Sequence, residues 1–397
     1  MRSLVVLVCT IAAAAAQVCE PSVTSAIGTK APVTICKGDL IFDEEFDTFD
    51  LSRWNHEKTA AGGGVSDMTY ILPQFEVPGL VVGDAVSNWE FELYNNNRSN
   101  SFVRDGKLFI KPTLTADQYG EDFLSSGVLN LNGGAPADAC TNPTDWGCER
   151  TGSPTNLLNP ITSARIRTVE SFSFTYGKVE VRAKLPAGDW IWPAIWLLPR
   201  FNFYGSWPSS GEIDLLESRG NRQLIKNGQN IGSELTSSTL HFGPFWPLNG
   251  YEHAHYEKNT PPNDGFDRDF NRFQLEWTPD YIQFGVNDEI IGEVAPPGGG
   301  FWELGQFSSQ VGAVDNPWEY GNKMAPFDQP FYFILNVAVG GVNSYFPDDA
   351  ENPGGKPWLN TSPQASTDFW NGRDQWLPTW SGDDAAMQVD YVKVWAV

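Results

Sequence analysis

The chain has 397 residues, of which 26 are Lys or Arg and 49 are Asp or Glu, giving a formal net charge of −23. A phosphate backbone is held by clustered cations, so this charge balance argues against a nucleic-acid partner. The 16 Trp, 12 Tyr and 25 Phe residues, together with 38 Gly and 28 Pro, favour a turn-rich, mostly β protein over one built from long helices.

The first sixteen residues have the pattern of a secretory signal. Arg2 precedes an apolar run over residues 4–16 that ends in small residues. The run is shorter than the ~20 residues that span a bilayer as a helix, and no later stretch is long and apolar enough. We expect cleavage after Ala16, a secreted extracellular protein and no membrane span. Two glycosylation sequons, at Asn97 and Asn360, are compatible with export but are common by chance.

Four cysteines lie beyond the signal: Cys19, Cys36, Cys140 and Cys148. An even count in an exported chain indicates two disulfides. Three pairings are possible, and proximity favours Cys19–Cys36 and Cys140–Cys148. A metal site is the weaker interpretation, because the chain has no C-x-x-C pair and no metalloprotease-type spacing of histidines. We therefore expect no metal and no cofactor.

Alternation of apolar and polar residues predicts half-buried strands at 107–111, 179–185 and 273–277. Residues Phe331–Val339 are more continuously apolar, which is typical of a strand covered on both faces. Residues 387–397 predict one more strand at the end of the chain. No amphipathic helix longer than a few turns and no internal repeat is evident.

Long loops rich in Gly, Pro and Asn separate these strands, at residues 60–83, 131–160, 241–265 and 348–382. Loops beyond ~12–15 residues are uncommon and often functional. No linker divides the chain, so we expect a signal at 1–16, a disulfide-tethered N-terminal segment at 17–39 and one domain at 40–397. The predicted fold is all-β, an antiparallel β-sandwich with long loops around a concave face, and the protein is expected to be a monomer.

The most informative segment is residues 211–218, which read Gly-Glu-Ile-Asp-Leu-Leu-Glu-Ser. On a regular strand Glu212 and Asp214 project from one face, and the residues between and after them project from the other. Glu217 is five residues after Glu212, so regular alternation would place it on the opposite face. We predict a one-residue β-bulge between Asp214 and Glu217, which returns Glu217 to the face of Glu212.

Three carboxylates within six residues repel one another and raise at least one pKa. Such pairing is useful where an acid and a base act together. Cleavage of a glycosidic bond needs two carboxyl groups, one to protonate the leaving oxygen and one to attack or to activate water. A solvated acidic strand in an acidic protein is the alternative that composition leaves open.

The same segment resembles the E-x-D-x-x-E signature of glycoside hydrolase family 16, in its laminarinase (endo-1,3-β-glucanase) branch. Further similar segments lie at 176–186, 192–199, 273–280, 335–341 and 389–395. The resemblance implies a jelly-roll sandwich with an open cleft on its concave face, and a retaining double displacement. By motif position, Glu212 would be the nucleophile, Glu217 the acid and then the base, and Asp214 the residue that holds the proton balance of the pair.

Animal members of this family include invertebrate digestive β-1,3-glucanases and the glucan-recognition proteins of arthropod immunity, and the sequence is similar to both. Many insect recognition members have lost catalytic carboxylates, whereas this chain retains all three. The segment before residue 40 also leaves no room for their separate N-terminal glucan-binding domain. We expect an endo-β-1,3-glucanase that acts on laminarin-like glucans, with mixed 1,3-1,4 chains as further substrates. The alternative is a weakly active or inactive recognition protein that binds β-1,3-glucan.

Four residues are candidates for contacts with sugar. Indoles stack on the apolar faces of sugar rings, and Trp192 lies in a family-like segment while Trp207 precedes the carboxylate strand. Arg165 corresponds to a family segment that borders the cleft, and His241 lies on the strand expected next. Their alternatives are core tryptophans, a strand-surface arginine and a structural histidine. Two other tryptophans lie on regular strands and are expected in the core: Trp277 and Trp395.

Overall fold

A computed structural model describes residues 19–63, 88–133, 138–310 and 314–397. The expected signal at 1–16 and most of the predicted 60–83 loop lie outside the described residues. The strands are β1 (Ser25–Ile27), β2 (Leu40–Glu44), β3 (Asn55–His56), β4 (Glu92–Tyr94), β5 (Ser101–Arg104), β6 (Lys107–Ile110), β7 (Thr113–Leu114), β8 (Val128–Asn130), β9 (Glu149–Thr151), β10 (Ile161–Ser163), β11 (Arg165–Arg167), β12 (Ser173–Thr175), β13 (Gly177–Lys184), β14 (Ile191–Pro199), β15 (Glu212–Ser218), β16 (Ile225–Lys226), β17 (Gln229–Asn230), β18 (Leu235–His241), β19 (His255–Asn259), β20 (Asn271–Trp277), β21 (Ile282–Val286), β22 (Glu289–Val294), β23 (Phe331–Val339) and β24 (Met387–Trp395). The α-helices are all short: α1 (Thr115–Tyr119), α2 (Glu121–Ser126), α3 (Gly300–Leu304), α4 (Phe307–Gln310), α5 (Ala365–Asn371) and α6 (Arg373–Trp376).

Two large antiparallel sheets form the body of the protein. The nine-stranded sheet has the order β1-β12-β23-β14-β15-β18-β19, with β11 pairing β23 and β3. The eight-stranded sheet has the order β22-β21-β20-β13-β24-β6-β5, with β2 pairing β24. A three-stranded sheet, β4-β10-β7, and two hairpins, β8-β9 and β16-β17, lie beside them. The predicted all-β, antiparallel sandwich is confirmed.

The main hydrophobic core lies between the two large sheets. Along β14, Ile195 and Leu197 are fully buried in this core, and alternate residues point to the opposite face, as the period of a strand requires. Trp277 of the eight-stranded sheet is also fully buried and meets Phe174 of the nine-stranded sheet edge to face, with ring centroids 5.5 Å apart. The core therefore uses one face of each sheet and leaves the other face of the nine-stranded sheet free to carry polar groups.

The strands predicted from alternation are present with small differences at their ends, and β23 coincides with the predicted run and is buried at all nine positions. The core position expected for Trp395 is wrong. This side chain is half-buried, because Val392 and Val394 take the inward positions of β24. The predicted loops at 241–265 and 348–382 are shorter than expected, since they contain β19 and the helices α5 and α6.

The N-terminal segment adds a strand to the sandwich. Strand β1 pairs with β12 at the end of the nine-stranded sheet, and the Ser22 hydroxyl donates to the Val397 carbonyl at 2.6 Å. The disulfides are Cys19–Cys36 and Cys140–Cys148, the two pairings that proximity favours. Among the described residues, no helix has the length and apolar character needed to cross a membrane.

Candidate active site

A cavity of about 770 Å³ lies on the outer face of the nine-stranded sheet. We call it the cleft. Its floor is built from alternate residues of four adjacent strands, whose other residues enter the core. The cleft-facing residues from β14, β15, β18 and β23 include Trp192, Trp196, Glu212, Asp214, Glu217, Thr239, His241, Asn336 and Ala338.

The predicted bulge in β15 is confirmed. The pairing of β15 with β18 shifts register between Asp214 and Glu217, and its pairing with β14 shifts at the same place. Leu215 and Leu216 both enter the core, so the alternation slips by one residue. Glu217 therefore faces the cleft together with Glu212 and Asp214.

Two indole groups hold the outer carboxyl groups of this set. Trp192 Nε1 donates to Glu217 Oε1 at 2.9 Å, and Trp207 Nε1 donates to Glu212 Oε2 at 2.7 Å. The loop that carries Trp207 enters β15 through Gly211, whose φ of +84° lies in the left-handed region and whose absent Cβ would lie 2.9 Å from the Phe327 ring. Both tryptophans predicted to contact sugar thus lie beside the carboxyl groups.

Burial governs the protonation of these three groups. Desolvation raises the pKa of Glu212 and of Asp214 well above the ordinary values, and repulsion from neighbouring carboxylates raises both further. Desolvation also raises the pKa of Glu217, while the electrostatic effect of nearby His241 and the hydrogen bond from Trp192 lower it. Because the groups are coupled, they take up and release protons as a set. The cluster keeps a proton at a pH where isolated carboxyl groups are ionised.

His241 closes one side of the carboxyl cluster. Its Nε2 lies 3.2 Å from Asp214 Oδ2, and the Asn249 amide lies 2.8 Å from its Nδ1. An amide nitrogen can only donate, so Nδ1 accepts and the ring proton is assigned to Nε2, facing Asp214. Oxygen and nitrogen atoms of Glu212, Asp214 and His241 lie within 4.8 Å of one another, a donor set that could also ligate a metal ion.

Arg165 lies in the cleft floor but is engaged with buried acids. It is 3% exposed, and its guanidinium lies 3.5 Å from Glu57 Oε2 and 3.8 Å from Glu90 Oε2. The same group lies over the rings of Tyr94 and Trp196, at 4.6 and 5.3 Å from their centroids. Its alternative, an ordinary surface arginine, does not apply, since Arg165 joins the cleft floor to a buried charge network.

Sequence reasoning missed two aromatic residues that shape the cleft. Tyr345 stacks on Trp192 with ring centroids 3.8 Å apart and planes at 9°, and Arg219 lies 4.0 Å above the Tyr345 ring. Trp246 is 53% exposed and lies 5.5 Å from Trp207. Both residues come from long loops rich in Gly, Pro and Asn, which is the signal that could have identified them.

The two sequon asparagines lie away from the cleft. Neither Asn97 nor Asn360 is among the residues that line it. Asn97 is half-buried, and its amide donates to Gln118 Oε1 at 3.4 Å. Asn360 Nδ2 donates to the Phe346 carbonyl at 3.0 Å.

The chain is similar in sequence and in fold to several known proteins. The sequence profile of glycosyl hydrolases family 16 matches residues 149–299. A protein from Penaeus monodon named "Beta-1,3-glucan-binding protein" is 50% identical over 365 residues, which cover 90% of each chain. One from Niallia circulans named "Glucan endo-1,3-beta-glucosidase A1" is 30% identical over 376 residues, covering 93% of this chain and 39% of that protein. The crystal structure of the laminarinase catalytic domain from Thermotoga maritima shares the jelly-roll fold, with a TM-score of 0.51, 22% identity, and coverage of 90% of this chain and 98% of that one.

Proposed function

Because the chain belongs to glycosyl hydrolase family 16, we propose that it is a secreted endo-β-1,3-glucanase that cleaves laminarin-like glucans with retention of configuration. The observation that carries this proposal is the convergence of Glu212, Asp214 and Glu217 on the cleft, with an indole N–H on each outer carboxyl group. A bulged strand that concentrates three carboxyl groups, two of them buried and the third half-buried, is unfavourable for the fold alone. A pair of carboxyl groups with shifted pKa values is what glycoside hydrolysis requires.

In the first step, the Glu212 carboxylate attacks the anomeric carbon while Glu217 transfers its proton to the departing glycosidic oxygen. A glycosyl ester of Glu212 forms, and the C–O bond to the leaving sugar breaks. The Trp207 N–H stabilises the ionised form of Glu212, which is the form that attacks. Desolvation raises the pKa of Glu217, as it does that of Glu212, so the proton that the cluster retains must lie on Glu217 when Glu212 attacks.

In the second step, Glu217 is a carboxylate and removes a proton from water as the water attacks the same anomeric carbon. The ester breaks, Glu212 leaves as a carboxylate, and Glu217 is protonated again. Asp214 shares a hydrogen bond with Glu212 and lies 3.2 Å from His241 Nε2. The proton that Asp214 and Glu212 share can therefore shift between them as the charge of Glu212 appears and disappears during the cycle.

The cleft walls suit a neutral polysaccharide. Trp207 and Trp246 expose part of their rings, and aromatic faces stack on the apolar faces of sugars. The names of the Penaeus monodon and Niallia circulans relatives refer to β-1,3-glucan, which supports β-1,3-glucan as the substrate class. The two disulfides suit an extracellular protein. We further propose that residues 1–16 are removed on export and that residues 40–397 act as one domain in a monomer.

The second candidate is a glucan-binding recognition protein without turnover. The observation in its favour is the name of the Penaeus monodon relative, a β-1,3-glucan-binding protein with 50% identity over most of the chain. Such a protein would use the same aromatic cleft for binding. It would have no need of three clustered carboxyl groups on one strand.

A reducing-sugar assay on laminarin distinguishes the two candidates. The parent protein should release new reducing ends, and Glu212→Gln should lower the rate by at least about a thousandfold, which corresponds to ~4 kcal/mol of transition-state stabilisation. Glu212→Gln should still bind laminarin, because the amide keeps the shape of the carboxyl group. A parent protein that binds laminarin but releases no reducing ends would overturn the enzyme and support the recognition protein.

A further inference from the structure

A second cavity, of about 910 Å³, adjoins the cleft. We call it the side cavity. It shares three lining residues with the cleft, namely Trp89, Glu90 and Val342. Its far wall is formed by Trp146, which lies within the loop closed by the Cys140–Cys148 disulfide, and by residues 362–367. The two cavities therefore lie next to each other on the protein surface.

Two exposed tryptophans flank the side cavity. Trp146 is 71% exposed and Trp89 is 46% exposed. An indole left in water forgoes the stabilisation that burial would give it, and exposed apolar surface of this kind often marks a binding site. Both residues also have positive φ values, +58° for Trp146 and +50° for Trp89. Such backbone conformations cost ~1–3 kcal/mol each and persist where the surrounding structure enforces them.

The loop that carries Trp146 is held firmly in place. The Cys140–Cys148 disulfide closes it, and Arg150 binds it from the neighbouring strand. Arg150 Nη2 donates to the Asp145 carbonyl at 2.7 Å, and its Nη1 donates to Asn159 Oδ1 at 2.9 Å. The backbone of Trp146 is thus held in place before any ligand arrives, which lowers the entropy cost of binding.

The polar groups of the side cavity match the chemistry of a neutral sugar. Its lining offers uncharged amide and hydroxyl groups from Asn156, Ser362, Gln364 and Ser366, beside the charged side chains of Glu149 and Arg150. Indole faces combined with a few neutral donors and acceptors are what a saccharide ring requires. Trp89, Trp146 and residues 362–367 lie outside the span that the family profile matches, 149–299. Other lining residues, Glu149, Arg150 and Asn156 among them, lie within that span, so the cavity joins the matched region to segments on either side of it.

We propose that the side cavity binds a β-1,3-glucan chain that extends beyond the cleft, and that it thereby favours long glucans over short oligosaccharides. The proposal rests on the proposed function, because it assumes that the cleft itself holds the same polysaccharide. The adjacency of the two cavities, which share Trp89, Glu90 and Val342 in their linings, is the observation that assigns the occupant. A chain that spans both sites gains the second set of contacts without a second loss of translational freedom.

The test compares affinities for a long laminarin chain and for laminaritriose by calorimetry, in the Glu212→Gln protein so that no ligand is consumed. Adding Trp146→Ala should weaken binding of the long chain about tenfold relative to binding of the trisaccharide, a change equivalent to ~1.4 kcal/mol. Trp146→Phe keeps a ring at this position and should recover part of the loss. The matched control is Tyr320→Ala, an exposed aromatic residue, 96% accessible, that lines neither cavity.

Equal long-chain affinities in the Trp146→Ala and Tyr320→Ala proteins would overturn the side-cavity site while leaving the proposed function intact. If the parent protein shows no turnover but Trp146→Ala still weakens binding of the long chain, the proposed enzymatic activity is overturned and the side-cavity site is supported. A protein that binds neither the long chain nor the trisaccharide would overturn both.

Discussion

Replacing Trp192 with Phe removes the indole N–H that donates to Glu217 at 2.9 Å and leaves most of the ring in place. The new ring can still stack on Tyr345, whose centroid lies 3.8 Å from that of Trp192. The hydrogen bond from Trp192 lowers the pKa of Glu217, so its removal raises that pKa. Glu217 must be protonated to act as the acid, and the variant should therefore retain activity to higher pH than the parent.

The size of the effect follows from the strength of the hydrogen bond. A hydrogen bond to a charged group contributes ~1.5–3 kcal/mol, and the low end applies because Glu217 is half-buried and keeps some contact with water. One pH unit corresponds to ~1.4 kcal/mol. The basic limb of the profile of kcat/KM against pH should therefore move up by about one unit.

The assay is the release of reducing ends from laminarin, measured as kcat/KM over a range of pH. The matched control is Trp207→Phe, which removes the N–H donated to Glu212 at 2.7 Å. Glu212 must be ionised to attack, so this variant should move the acidic limb to higher pH and leave the basic limb in place. A Trp192→Phe profile with an unmoved basic limb, or a shift of the same limb in both variants, would refute the assigned roles of Glu217 and Glu212.

Three further predictions concern stability. Burial raises the pKa of Asp214, so the folded protein loses stability as the pH rises above about 4, the pKa of this group in the unfolded chain. In urea titrations the Asp214→Asn variant should therefore be more stable than the parent at pH 7 and equally stable near pH 3.5. A variant that is less stable than the parent at pH 7 would contradict this. Arg165→Met should cost ~3–5 kcal/mol in the same titrations, because it removes a buried cation that lies against both Glu57 and Glu90, and a loss below 1 kcal/mol would show that these ion pairs are not required. Replacing Cys19 and Cys36 with Ser opens a loop with a sequence separation of 17 and should cost about 3 kcal/mol, whereas equal midpoints for the variant and the parent would exclude a stabilising role.

Local patterns in the sequence were sufficient for much of the fold. Alternation predicted the strands that became β13, β20 and β24, and the continuous apolar run predicted β23 residue for residue. The bulge was predicted from the spacing of Glu212 and Glu217. These residues are five positions apart, so their side chains can share one face of the strand only if one extra residue interrupts the alternation. The family resemblance drawn from these segments is confirmed by the relatives.

Contacts between distant segments could not be predicted in this way. The acids that surround Arg165 come from residues 57 and 90, which no periodic pattern connects to β11. Tyr345 stacks on Trp192 across about 150 positions of sequence, and its partner is set by how the loops fold over the sheet. Single-residue burial was also difficult to predict, as Trp395 illustrates, because two valines compete for the inward positions of the same strand.

The central claim is that the three carboxyl groups perform a double displacement on β-1,3-glucan. Proton NMR of laminarin during the first minutes of reaction tests it most directly, because it detects each new reducing end and its anomeric configuration together. With retention, the β-anomer appears first and then mutarotates to the equilibrium mixture. An initial α-anomer would contradict retention, and the absence of any new anomeric signal would contradict catalysis.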